Sequence, residues 1–493
     1  MKIGRMGLML ALAAPFLAAQ AIPARPEQLT FAPLAFTPPL AAAHQARLAN
    51  GMAAFLHPDP AGVPLVRIAV QFRGGAYLDP RGKEGLAALF GQVLRSGGTR
   101  GMAAEDLDRR LDFLGATLWS HSGPTSGELA LEVLEKDLPE GLAMFLDVLT
   151  HPAFRQDRLD LALKGARRAM ERRNDDADSI AAYQSAFLLN GPGHFTTAFS
   201  TKRSLDAITR ADLEAFHGRL LHPGNLVVTV TGRFERASML ALLDRTLGSL
   251  CPGPAALPSP PVPAPAPVRK PGLYVVDKDL PQSLVQLELP GLRRLDPDWP
   301  AALVMNQVLG GGGFTARLTK KIRSDEGLTY GIYAGFDEGA HWKGDWTCSF
   351  QTRNAAVPYA LRLTLAELER MRREPVPAAE LRTIKDGLIQ SFPSQWSDPQ
   401  AVVRFFAEET LKGWPLDYFR DFRARIEAVT AEDVQRAART YLNLDQLVVL
   451  VVGKAAEAEA GEPRDHPGRL KDVLPLPLTR LPLRNAMTME PGP

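Results

Sequence analysis

A chain of 493 residues, 45% hydrophobic and 23% charged, has the balance of a soluble globular protein with two large domains or several small ones. Its formal net charge of +2 supplies no strong field, which excludes nucleic acid or an anionic membrane as a partner drawn by bulk charge. Two cysteines, Cys251 and Cys348, are too few for a disulfide framework, and their spacing gives no reason to pair them.

At the N-terminus, Lys2 and Arg5 precede a short apolar run over residues 7–19, and Ala19-Gln20-Ala21 supplies a small-x-small cleavage pattern. Residues 1–21 therefore read as an export signal with the mature chain starting near Ile22; an uncleaved anchor is the alternative. The apolar run is shorter than the roughly 20 residues that span a bilayer. No other segment is long and apolar enough, so no membrane span is expected after signal cleavage. The expected location is exported, and periplasmic if the source is Gram-negative.

Residues 66–72 alternate as a strand, followed by the turn Leu78-Asp79-Pro80 and a helix. In that helix Leu86, Leu89, Phe90, Val93 and Leu94 recur at helical spacing and face a core. Ala88, Gly91 and Gln92 share another face. A zinc peptidase carries His, Glu and His at these relative positions, two ligands one turn apart with a general base between them. Here all three offer neither a good zinc ligand nor a base. Gly91 costs about 1 kcal/mol relative to Ala in mid-helix. It also leaves a narrow face that another element could approach closely.

Residues 251–272 are dense in Pro and Ala and read as an extended, semi-rigid linker. They divide the mature chain into domains at 22–250 and 273–455, with a Pro- and charge-rich tail over 456–493 that is expected to pack poorly. The halves look alike. Thr209, with Asp212 three positions on, caps a helix that leads to a β-branched strand ending at Gly232; Thr430, Asp433 and Gly453 repeat the order. Residues 66–72 and 284–289 are matching strands, each followed by a Leu-Asp-Pro turn and a helix. The expected fold class is α+β: two homologous domains of antiparallel-rich sheet covered by helices.

In the second half Gly310, Gly311, Gly312 and Gly313 precede a helix, where their amides could hold a carbonyl or an anion, or simply form a close-approach loop. The Gly-Lys-Ser/Thr ending of a phosphate loop is absent. Arg323 falls in the last turn of a helix that Gly327 closes, and Tyr330 on the strand after it. As donors aimed at a scissile carbonyl, such side chains stabilise growing negative charge. Alternatively Arg323 complements the helix terminus and Tyr330 is a core residue. None of the nine histidines forms a His-x-x-x-His pair with an intervening Glu, and His217 and His222, five apart, suit one metal poorly.

From about residue 45 to 455 the chain resembles the pitrilysin/insulinase-like zinc peptidases, which include the mitochondrial processing peptidase. Residues 73–99 resemble the family's first motif, with Gly74-Gly75, Gly85-Leu86-Ala87 and Gly98-Thr99 as its framework. The family's His-x-x-Glu-His falls on Ala88, Gly91 and Gln92, and its third ligand near Arg168 or Ala169, with Glu171 close by. Residues 309–333 resemble the C-terminal signature, whose Arg and Tyr match Arg323 and Tyr330. The resemblance implies a clam-like pair of chains around a chamber for unfolded peptides. It implies a non-catalytic subunit without zinc of its own, beside a homologous partner that carries the zinc. A peptide-binding or assembly protein with no part in catalysis is the alternative.

Overall fold

The computed structural model describes residues 35–250, 261–266 and 268–492. The export signal at 1–21, Cys251 and the first part of the linker lie outside the described residues. The first sheet contains β1 (Gln45–Arg47), β2 (Ala53–Pro58), β3 (Leu65–Arg73), β4 (Thr117–Ser122), β5 (Ser126–Leu134) and β6 (Leu226–Gly232). The second contains β7 (Gly272–Asp277), β8 (Gln282–Pro290), β9 (Ile332–Phe336), β10 (Asp345–Arg353), β11 (Val448–Gly453) and β12 (Leu478–Leu481). Their spatial orders, β1-β2-β6-β3-β5-β4 and β12-β7-β11-β8-β10-β9, trace the same path over five strands and differ in the edge strands β1 and β12. In each sheet the last four strands in that order are mutually antiparallel, so the fold is the expected α+β type with antiparallel-rich sheets.

The β-branched runs of β6 and β11 sit inside their sheets and are buried almost throughout, because helices cover both faces. The helices that matter below are α1 (Leu86–Ser96), α2 (Gln156–Glu171), α3 (Ala177–Asn190), α4 (Arg210–Leu220), α5 (Trp299–Asn306), α6 (Pro399–Lys412) and α7 (Ala431–Tyr441). The two sequence-predicted capping boxes form as reciprocal bonds: Thr209 with Asp212 starts α4, and Thr430 with Asp433 starts α7.

The halves exchange a helix. Ile180, Ala181 and Tyr183 of α3 pack on Val276, Leu284, Leu450 and Val452 of the second sheet. Val402, Val403 and Phe406 of α6 pack on Phe55 and Val227 of the first. Each sheet thus takes one cover from the other half of the chain. The described part of the linker, 261–266 and 268–271, holds no helix or strand and runs against the first half, with His194 Nε2 2.9 Å from the Pro263 carbonyl.

The tail corrects an expectation. Instead of packing poorly, it adds β12 in parallel to the edge of β7. It then crosses to the first half, where Gln184, Asn174 and Arg173 donate to the carbonyls of Pro482, Arg484 and Ala486 at 2.9, 2.9 and 3.0 Å. A sheet edge accepts an extended, Pro-flanked segment because only alternate backbone groups face the neighbouring strand.

Candidate functional site

α1 begins without a side-chain cap on Gly85. The buried turn before it does the work: the Asp79 carboxylate accepts from the amides of Gly85 and Ala87, both at 2.8 Å. Burial nevertheless pushes the Asp79 carboxyl up to about 6, against the pull of those bonds. The anchored helix buries Leu86, Leu89, Phe90, Val93 and Leu94, as its periodicity predicts.

Ala88 and Gln92 are exposed, whereas Gly91 is buried under β4. A Cβ added at Gly91 would lie 2.1 Å from the Ser122 amide nitrogen and 2.6 Å from the His121 carbonyl carbon. The Ser120 hydroxyl donates to the Gly91 carbonyl at 2.6 Å and accepts from the Arg95 amide at 3.2 Å, entering the helix's own hydrogen-bond ladder. The middle of the metal face is therefore occupied by a neighbouring strand. A glutamate at 91 could not stand there without moving β4. What remains is a shallow hollow of about 380 Å³ bordered by Ala88, Gln92, Arg95, Trp119 and His121.

Arg168, Ala169 and Glu171 all lie exposed near the end of α2. Among the described residues no group of three or more His, Cys, Asp or Glu is placed to hold a metal ion. His217 is engaged elsewhere, with Nε2 2.8 Å from the Leu149 carbonyl, and burial lowers its pKa and that of His222. Cys348 is buried in β10, and desolvation pushes its thiol up to about 12.

On the second sheet, the glycine run does not simply precede a helix. α5 runs on through a wider helical turn, Gln307–Gly311, which takes in Gly310 and Gly311. Gly310 faces β9, where a Cβ would meet that of Ala334 at 2.7 Å. Gly313, at φ +65°, then opens the short turn Gly313–Thr315 that presents Phe314. Arg323 lies in the last turn of a second wide helical segment, Thr319–Asp325, and Gly327 closes it at φ +61° with its amide on the Arg323 carbonyl, as predicted.

Tyr330 is not on the strand. The Thr329 hydroxyl bonds both the carbonyl and the amide of Gly331, a local turn that delays β9 until Ile332. Tyr330 is consequently 88% exposed, which removes the reading of it as a core residue. The structure brings Arg323 and Tyr330 together: the guanidinium carbon lies 5.1 Å from the Tyr330 ring centroid and 4.5 Å from that of Phe314. Among the described residues no carboxylate pairs with Arg323. Phe314 and Tyr333, both 71% exposed, complete an aromatic surface that sequence reasoning missed. The available signal was an aromatic residue inside a glycine-rich run.

Fold and site together define a peptidase-type chain of two α+β repeats, with a metal face that lacks its ligands and is blocked at Gly91, and an arginine–tyrosine pair open to solvent. Residues 58–185 match the family model described as insulinase (peptidase family M16), and residues 207–388 match the peptidase M16 inactive domain. These matches cover more than half of the chain, which belongs to the insulinase family, peptidase family M16. It is an inactive homologue within that family. A "non-peptidase homolog" of Helicobacter pylori is 25% identical over 394 residues, covering 79% of this chain and 89% of that protein. The crystal structure of a peptidase M16 inactive domain from Pseudomonas fluorescens superimposes with a TM-score of 0.74 at 25% identity, over 83% of this chain and 98% of that one. The periplasmic protease PqqL of Escherichia coli shares the fold with a TM-score of 0.69 at 17% identity, over 89% of this chain but 49% of that one.

Proposed function

We propose that this chain is the exported, non-catalytic subunit of a heterodimeric zinc peptidase. The partner is a homologous chain with an intact His-x-x-Glu-His, which supplies the zinc and the base that activates water. This chain supplies half of the chamber, substrate binding and the donors Arg323 and Tyr330. One observation carries the reading: a guanidinium flanked by two exposed rings, with no carboxylate paired to it among the described residues, stands in a chain whose own metal face lacks its ligands and is occupied by β4 at Gly91. A cation left unpaired on a sequence-matched signature is suited to a ligand's carbonyl and to the oxyanion formed from it. Two further facts support a paired assembly and a peptide ligand. The fold occurs as about half of a longer protease chain. Strands β4 and β9 also leave free sheet edges on which an extended peptide can pair.

The test mixes the mature chain with its zinc-bearing homologue. The complex should cleave unfolded peptides where neither chain does so alone. Arg323→Ala and Tyr330→Phe should each lower that cleavage by about a hundredfold, with assembly unchanged. An intact complex whose cleavage is indifferent to both substitutions would overturn the catalytic share and leave the peptide-binding or assembly role.

A further inference from the structure

Two cavities occupy the same place in the two repeats. Gln71 pairs with Val227, five residues before Gly232, and Glu288 pairs with Val448, five residues before Gly453. Their cross-strand neighbours are Glu128 and Thr347. The exchanged helices end over them. Counted from the cap residues Asp398 and Asp176, Leu411 and Lys412 border the first cavity where Leu189 and Asn190 border the second. The volumes are also alike, about 450 and 430 Å³.

Beside the second cavity the chain supplies its own polar partners. Oε1 of Glu288 accepts from the Ser185 hydroxyl of α3 and from the Gln286 amide. The linker sends in the guanidinium of Arg269, which pairs with Asp345 on β10. The first cavity lacks counterparts of Ser185 and Arg269. At the helix position of Ser185 stands Ala407, nine residues after its cap. At the strand position of Arg269 stands Asn50, three residues before β2, and its amide goes instead to the carbonyls of Leu247 and Leu250.

One unpartnered acceptor lies on the floor beside a buried carboxylate. Gln71 is 5% exposed and its Oε1 has no partner; Glu128 is 8% exposed. Burial holds the Glu128 carboxyl above its ordinary range, with the Gln71 amide opposing that shift. At the rim Arg404 pairs with Glu408 and Lys412 with Glu338. Arg73, which also lines the cavity, has no ion-pair partner among the described residues. Glu128 at the floor and Arg73 at the rim are thus without an ion-pair partner among the described residues.

We propose that this cavity binds an arginine unit with a free carboxylate. Its guanidinium enters between Gln71 and Glu128, and its carboxylate meets Arg73. A guanidinium suits the floor because its planar fork can donate to an amide oxygen and a carboxylate together. The ligand is either free L-arginine or the C-terminal arginine of a peptide. The site lies on the α6 face of the first sheet, opposite α1, and depends neither on a partner subunit nor on Arg323.

Isothermal titration of the mature chain with L-arginine, the dipeptide Gly-Arg, L-citrulline and agmatine tests this. L-arginine or Gly-Arg should bind saturably, and whichever binds more tightly identifies the source. Citrulline, which lacks the charge, should bind at least about tenfold more weakly, as should either arginine ligand to Glu128→Gln. Arg73→Gln, at an exposed position, should abolish the preference for arginine over agmatine and leave agmatine binding unchanged. The proposal is overturned by citrulline binding as well as arginine, or by an unchanged affinity in a folded Glu128→Gln variant. No saturable heat with either arginine ligand up to about 10 mM would also overturn it.

Discussion

Replacing Gly91 by alanine sets two effects of opposite sign against each other. Alanine in a helix interior is favoured over glycine by about 1 kcal/mol. The added methyl, however, would sit 2.1 Å from the Ser122 nitrogen, which is backbone and cannot rotate away. Unbonded heavy atoms rest about 3.5 Å apart, so β4 must retreat by more than about 1 Å. That retreat also strains the Ser120 bridge between the Gly91 carbonyl and the Arg95 amide. Overpacking of this kind costs about 1–3 kcal/mol, and a clash with backbone belongs at the upper end. The net expectation for Gly91→Ala is a loss of about 1–2 kcal/mol after the helix gain is credited. Gly165, on exposed α2 with nothing within 4 Å of its added Cβ, is the matched control. Gly165→Ala should gain up to about 1 kcal/mol from the same helix term without the clash. Urea denaturation followed by far-ultraviolet circular dichroism reads both. If Gly91→Ala stabilises the chain as much as Gly165→Ala, β4 does not rest on α1 and the closed metal face is wrong.

Writing the whole motif back, as Ala88→His, Gly91→Glu and Gln92→His together, should lower stability and give no stoichiometric zinc by elemental analysis; a tight zinc complex would refute the closure. Arg323→Ala, Tyr330→Phe and Phe314→Ala should each change stability by less than about 0.5 kcal/mol, since Tyr330 and Phe314 are exposed and half-buried Arg323 has no ion pair among the described residues, so any loss of complex activity in them is chemical rather than structural. Arg294 is 7% exposed, bridges Glu409 and Glu338, and lies 4.3 Å from the Trp414 ring. Arg294→Met should cost about 3–5 kcal/mol in denaturation because it strands the buried Glu409, and adding Glu409→Gln should recover part of that. Desolvation pushes Glu288 from 4.5 up to about 7. Because the folded state then holds the proton more tightly, its contribution is present below pH 4.5 and is lost as pH rises through 7, by about 3 kcal/mol at most. Glu288→Gln should flatten that slope, and an unchanged stability–pH profile would exclude Glu288 as its source.

Much of the local structure was legible because local rules suffice for it. The capping boxes at Thr209 and Thr430 need only residues three apart, and both form. The apolar stripe of α1 and the helix closure at Gly327 are equally short-range. Tyr330 shows the limit: strand alternation placed it in β9, but a side-chain turn at Thr329 outweighs that pattern and leaves the ring in solvent.

The amino-acid order by itself determined the repeated α+β halves, the missing ligands at Ala88, Gly91 and Gln92, and the spacing of Arg323 and Tyr330. Each follows from residue identity or from periodicity within one element. Only the tertiary structure decided that α3 and α6 change sides, that the tail supplies β12, and that β4 occupies the metal face at Gly91. It alone also set Phe314 beside Arg323 and left Gln71 Oε1 without a partner beside Glu128. These depend on contacts between residues far apart in sequence, where burial and the satisfaction of polar groups outweigh local preference.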